Sequence, residues 1–148
     1  MIPDIDRVAD VIREVAEREL VPHFTTLSDD DIGEKSPGDF VTAVDLAMER
    51  ELAKVLVPLL PGSLVVGEEA VHDDKGILGL LEGDAPVWVL DPLDGTGNYA
   101  QGMPIVAVIV ALVIKGETVA GWIYDPLSRR MAMGAKSEGV HMDGRRLW

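Results

Sequence analysis

A chain of 148 residues that is 47% hydrophobic and 26% charged has the material for one compact core, which excludes a disordered tail. Thirteen Lys and Arg stand against 26 Asp and Glu, a formal charge of −13, which excludes a broad basic face and disfavours nucleic acid as a ligand. Cysteine is absent, so disulfides, thiolate metal sites and thiol nucleophiles are excluded and hard oxygen ligands remain.

The N-terminus MIPDIDRVAD lacks the basic start and apolar run of a secretory leader, and no apolar stretch approaches membrane-spanning length. The expected compartment is the cytoplasm, with no membrane partner. From Asp4 to Leu20, Ile5, Val8, Ala9, Ile12, Val15, Ala16 and Leu20 recur at helical spacing, and Pro22 closes that helix. Ser28 to Asp39, with three consecutive aspartates, Gly33, Pro37 and Gly38, predicts a solvated loop able to act as a flap.

Thr42-x-x-Asp45 precedes Val44, Met48, Leu52, Val55, Leu56 and Leu59, so a second helix is predicted from about Thr42 to the Pro58–Pro61 region. Beyond Gly62 the pattern becomes short β-rich runs: Ser63 to Val66, Val87 to Leu90, Ile105 to Ile114 and Thr118 to Tyr124. Lys115-Gly116 reads as a hairpin turn, and Asp125-Pro126 and Asp143-Gly144 punctuate two later strands. Helices first and strands later, without regular alternation, predict an α+β fold in which two N-terminal helices pack on a largely antiparallel sheet.

The most informative stretch is Trp88-Val-Leu-Asp-Pro-Leu-Asp-Gly-Thr-Gly-Asn-Tyr99, an apolar strand running into two carboxylates. Pro92 restricts how Asp91 leaves the strand, and Asp94 follows around the bend. Such carboxylates repel when both are ionised, as they are at pH 7 unless burial raises a pKa. Cations relieve the repulsion, and an acidic protein that handles phosphate must import positive charge. Magnesium suits these oxygens, with the Leu93 carbonyl as a further ligand, because it keeps several waters and binds few carboxylates together with a phosphate. Gly95 and Thr96 then offer backbone N–H groups at a helix start, where phosphate oxygens are received. Taken alone, Asp-Pro-Leu-Asp-Gly reads first as a strong turn.

Gly67-Glu68-Glu69 closes a second apolar run, and alone it reads as a solvated strand end. Beside Asp91 it would bring three carboxylates to one point and form a two-metal pocket, with Glu68 also placed to orient water. Asp45 has two readings: a plain helix cap, or the acceptor of the Thr96 hydroxyl in a pair that helps polarise the attacking water.

Gly67-Glu68-Glu69 followed by Trp88-Val-Leu-Asp-Pro-Leu-Asp-Gly-Thr is similar to the paired signature of the inositol monophosphatase family. Pro37 to Asp45, the hairpin after Pro104 and Gly121-Trp-Ile-Tyr-Asp-Pro126 fall in the order that family shows. The resemblance covers most of the chain. It implies a magnesium-dependent, lithium-sensitive phosphatase with Glu68, Asp91, the Leu93 carbonyl and Asp94 as magnesium contacts. Phosphate is then held at Asp94, Gly95 and Thr96, while Asp45, Glu68 and Thr96 serve the water. Gly97 departs from the family, which usually has a second threonine there. The resemblance also implies that residues 1–148 are an N-terminal metal- and phosphate-binding domain lacking a C-terminal half whose aspartate completes the metal site. Weak or no turnover, an exposed apolar layer and membership of a longer product are expected on that basis, and family members are commonly homodimers.

Two functions compete. One is hydrolysis of a phosphate monoester by metal-activated water, the substrate being an inositol phosphate, fructose bisphosphate, histidinol phosphate or nucleotide 3′-phosphate. The other is a non-catalytic regulatory or partner-binding module that keeps the fold, as bacterial relatives linked to RNA processing suggest. His23, His72 and His141 lack ligand spacing, and Asp29-Asp30-Asp31 reads as solvated loop.

Overall fold

The N-terminal apolar stripe is buried where its period places it. Helix α1 runs Ile5–Glu19 and sinks Ile5, Val8, Ile12, Val15 and Ala16 into the core. Asp4 caps it by accepting the Asp6 amide at 2.9 Å, and a short 3-10 segment, Val21–His23, opens on the predicted breaker Pro22. The computed structural model describes residues 2–24, 32–36 and 39–147.

The loop expected from Ser28 to Asp39 is corrected in part. Strands β1 (Ile32–Ser36) and β2 (Asp39–Thr42) pair antiparallel as a separate two-stranded sheet, with Ile32 opposite Thr42. A ribbon of two short strands needs none of the period-two apolar pattern that marks a sheet packed on a core, so the sequence offered no strand signal there. The aspartates of the predicted flap and the Pro37-Gly38 pair lie outside the described residues. Helix α2 (Ala43–Leu56) starts at Thr42 with the expected capping box and yields to a 3-10 turn, Val57–Leu59.

The main sheet has seven strands in chain order: β3 (Leu64–Gly67), β4 (Val87–Asp94), β5 (Ala107–Ile114), β6 (Glu117–Asp125), β7 (Arg130–Ala135), β8 (Gly139–Met142) and β9 (Arg145–Arg146). From β4 onward the neighbours are antiparallel, whereas β3 and β4 run parallel. A parallel pair needs a crossover, and α3 (Glu68–Asp73) with the 3-10 segment Lys75–Glu82 supplies it. Helix α4 (Thr96–Ala100) follows β4. Lys115-Gly116 and Asp143-Gly144 all take positive φ, at 52°, 78°, 52° and 82°, as tight hairpin turns that follow the twist of the strands require.

Helices α1 and α2 cover one face of this sheet, giving the α+β arrangement expected. Trp88, Leu90, Val110, Leu112, Trp122 and Tyr124 point into that layer. The indole N–H of Trp122 donates to the Ile5 carbonyl at 3.0 Å and that of Trp88 to Ser63 Oγ at 3.1 Å, so the largest core rings leave no buried donor unmet. The alternate residues of the same strands, among them Ile109, Ala111, Gly121, Ile123 and Ala132, form an open apolar face. Ile123 is 52% exposed on it and Val140 40%. No helix among the described residues is long and apolar enough to cross a membrane.

Candidate metal and phosphate site

Parallel pairing of β3 with β4 sets Gly67 opposite Leu90, so the next residues, Glu68 and Asp91, emerge side by side where β3 ends and the parallel pairing stops. Alternation along β4 sends Trp88 and Leu90 to the core and Asp91 to the open face, where Asp91 and Glu68 line a pocket of about 320 Å³ with Ile109 and Ala111. The two carboxyl groups share a hydrogen bond. Burial pushes the Asp91 pKa up to about 8, helped by that bond to Glu68 and by the negative charges of Glu68 and Asp94, with the Leu93 amide opposing only in part. At neutral pH Asp91 in this arrangement is therefore mostly protonated. Its Oδ1 is buried without a hydrogen-bond partner.

Strand β4 does not stop at Pro92. It continues to Asp94 through a register shift, with Asp91 opposite Ile109 and Asp94 opposite Ala107. The expected meeting of three carboxylates on one point is corrected here. Glu68 and Asp91 touch, while the exposed Asp94 acts on them through its charge, and no three acidic or histidine side chains among the described residues form a ready metal cage. The irregular register between Asp91 and Asp94 accounts for the offset, because it breaks the regular spacing along the strand.

Gly95 then turns the chain at φ 89°, ψ 33° into α4. A Cβ there would sit 2.6 Å from the Ile105 carbonyl oxygen, so conformation and space both demand glycine. Gly95→Ala is expected to cost about 1–3 kcal/mol for the left-handed backbone alone, more with the collision, as read by urea unfolding.

The Thr96 hydroxyl lies 2.8 Å from Asp45 Oδ1 and 2.9 Å from the Leu93 carbonyl. It has one hydrogen to give, and the charged acceptor takes it more strongly. Asp45 is fully buried, and its Oδ2 accepts the Thr42 amide at 2.9 Å and the Thr42 hydroxyl at 2.6 Å. One Asp45 oxygen thus caps α2 and the other receives the Thr96 hydroxyl.

Two features were missed from sequence. Glu69, read as part of a solvated strand end, is buried at 5% exposure. Glu49, one helical turn after Asp45 on α2, accepts the Glu69 and Ala70 amides at 2.8 and 3.0 Å. The spacing of Asp45 and Glu49 put both carboxylates on one helix face, which was the available signal. Tyr99 also anchors α4, its hydroxyl donating to the Leu20 carbonyl at 2.6 Å.

These residues fit a magnesium ion in their chemistry. The donors are hard oxygens, Asp91 Oδ1 lacks a partner, and a cation would replace the shared proton between two crowded carboxylates. Magnesium fills its remaining positions with water and phosphate, so it does not need a closed cage of protein ligands.

Known proteins bear on this arrangement. A fructose-1,6-bisphosphatase/inositol-1-monophosphatase of Aquifex aeolicus is 36% identical over 128 residues, covering 86% of this chain and 46% of its own length. The Nus factor SuhB of Pasteurella multocida is 36% identical over 115 residues, covering 76% of this chain and 40% of its own. Among solved structures, the extragenic suppressor protein suhB of Bartonella henselae superposes with a TM-score of 0.80 at 27% identity, over 96% of this chain and 53% of that one. The chain therefore spans about half the length of the relatives it matches. Since the model of the inositol monophosphatase family matches residues 4–147, nearly end to end, the chain belongs to that family.

Proposed function

We propose that the chain supplies the magnesium- and phosphate-binding part of a phosphomonoesterase acting on an inositol phosphate or related sugar phosphate. The observation that carries this reading is the contact of Glu68 with Asp91 where the parallel pairing of β3 and β4 stops, close in sequence to Thr96, which reaches Asp45. Glu68, Asp91, the Leu93 carbonyl and Asp94 would hold the metal. Magnesium supplies, when bound, positive charge to the phosphoryl oxygens and to the attacking water.

The chain's own residues do the rest. Asp45 fixes the Thr96 hydroxyl by taking its hydrogen, which leaves an Oγ1 lone pair to accept a hydrogen bond from water and orient its attack. The Gly95 turn presents the first amides of α4 to the phosphate, and the open apolar face beside Asp91 suits a reading of residues 1–148 as one half of a larger phosphatase. Lithium is expected to compete with magnesium there.

Calorimetry tests the reading with magnesium and then inorganic phosphate. Phosphate is expected to bind only after magnesium, and Glu68→Gln is expected to weaken the metal step sharply. Phosphate binding that ignores magnesium would count against it. A folded chain that takes up no magnesium would instead favour a regulatory or partner-binding module, the reading that similarity to a Nus factor supports.

A further inference from the structure

We propose that Glu49 is a positioning residue that sets the Glu68 carboxylate against Asp91 by holding the two amides that follow Glu68. This rests on the metal-site reading above and adds a residue to it. Glu68 is exposed and opens α3, a helix of six residues, too short to hold its own geometry. Its first turn is instead fixed from outside. Glu49 Oε1 accepts the Glu69 amide and Oε2 the Ala70 amide, so both carboxylate oxygens are committed to α3.

Helix α2 is a rigid base for such a clamp, because Met48 and Leu52 on either side of Glu49 are fully buried. Asp45, one turn earlier, holds Thr96. A single face of α2 thus holds the Thr96 side chain and the Glu69 and Ala70 amides. Gly67 reports the same design from the other direction. A Cβ on Gly67 would collide with the Glu49 carboxyl group and with nothing else among its nearest neighbours. The obstacle is the end of a flexible side chain, so Gly67→Ala should displace Glu49 and leave β3 in place.

The test uses the intact chain with Glu49→Gln, Glu49→Ala, Gly67→Ala and the Gly67→Ala/Glu49→Ala double variant. Amide hydrogen exchange is measured at Glu69 and Ala70 without divalent ions, and magnesium affinity by calorimetry. Expected are faster exchange at those two amides, protection retained through α1 and β4–β7, and magnesium affinity reduced roughly 10–100-fold, as for other groups that orient metal ligands. Glu49→Gln, which keeps one acceptor oxygen, should lose less than Glu49→Ala. The double variant should bind magnesium no worse than Glu49→Ala, since the collision disappears with the carboxylate. Wild-type magnesium affinity in Glu49→Ala, or losses that add in the double variant, would overturn the proposal while leaving the metal site standing. Failure of the wild-type chain to take up magnesium would remove the metal reading, and this role with it.

Discussion

Asp91→Asn is expected to make the protein in EDTA more stable than wild type at about pH 8 and above, while abolishing magnesium uptake. The sign follows from the Asp91 pKa of about 8 in the fold against 3.8 for an ordinary aspartate. Between those values the native chain holds a proton that the unfolded chain has released, so this group's contribution declines as pH rises and levels off above the folded value. Asparagine cannot ionise, so the variant lacks that decline. After discounting for solvent screening at a partly exposed group, the difference is about 1–2 kcal/mol, or roughly 3–8 °C in Tm for a chain of this size. Thermal melts of both proteins in EDTA from acid to alkaline pH check it. The same proton links to metal binding: wild type is expected to release about one proton per magnesium at pH 7, measured by calorimetry in buffers of different ionisation heat.

Asp45→Ala is expected to be the most destabilising change at the site. It removes a capping box, worth about 1–2 kcal/mol, and leaves the buried Thr42 amide and hydroxyl without their acceptor, at about 1–3 kcal/mol for an unmet buried donor, whereas the Thr96 hydroxyl keeps the Leu93 carbonyl. The sum is about 2–4 kcal/mol by urea unfolding, allowing for overlap between the terms. Asp45→Asn keeps one accepting oxygen and should lose roughly half as much. Because Thr96 and Asp45 share a bond, Asp45→Ala/Thr96→Val should cost less than the two single changes added together. A loss below about 1 kcal/mol for Asp45→Ala would mean that the buried bonds carry little weight.

Local signals in the sequence carried most of the fold. The stripe from Ile5 to Ala16, the Thr42–Asp45 cap and the turns at Lys115-Gly116 and Asp143-Gly144 are short-range features, and each appears where it was expected. What the sequence hid depends on distant residues. Parallel pairing of β3 with β4 is set by a crossover, which leaves no periodic mark, and α3 begins on the two glutamates that looked like a strand end. The strand Ile32–Ser36 lay in a stretch whose composition spoke for loop. At the site, the motif resemblance drew attention to Glu68, Asp91 and Thr96, but the raised pKa of Asp91 needed the neighbour that only folding supplies. Glu49 escaped because its partners are backbone amides some twenty positions away, at Glu69 and Ala70, and amides carry no residue-type signature.

Manganese in place of magnesium gives the most direct view of whether one cation is held between the end of β3 and Asp91 on β4. In amide NMR spectra of the intact chain, substoichiometric manganese is predicted to broaden Glu68–Glu69, Asp91 and the Asp94–Thr96 turn first, with excess magnesium restoring them. Broadening confined to other acidic stretches, such as Asp29–Asp31 or Asp73–Asp74, with those signals untouched, would contradict the account.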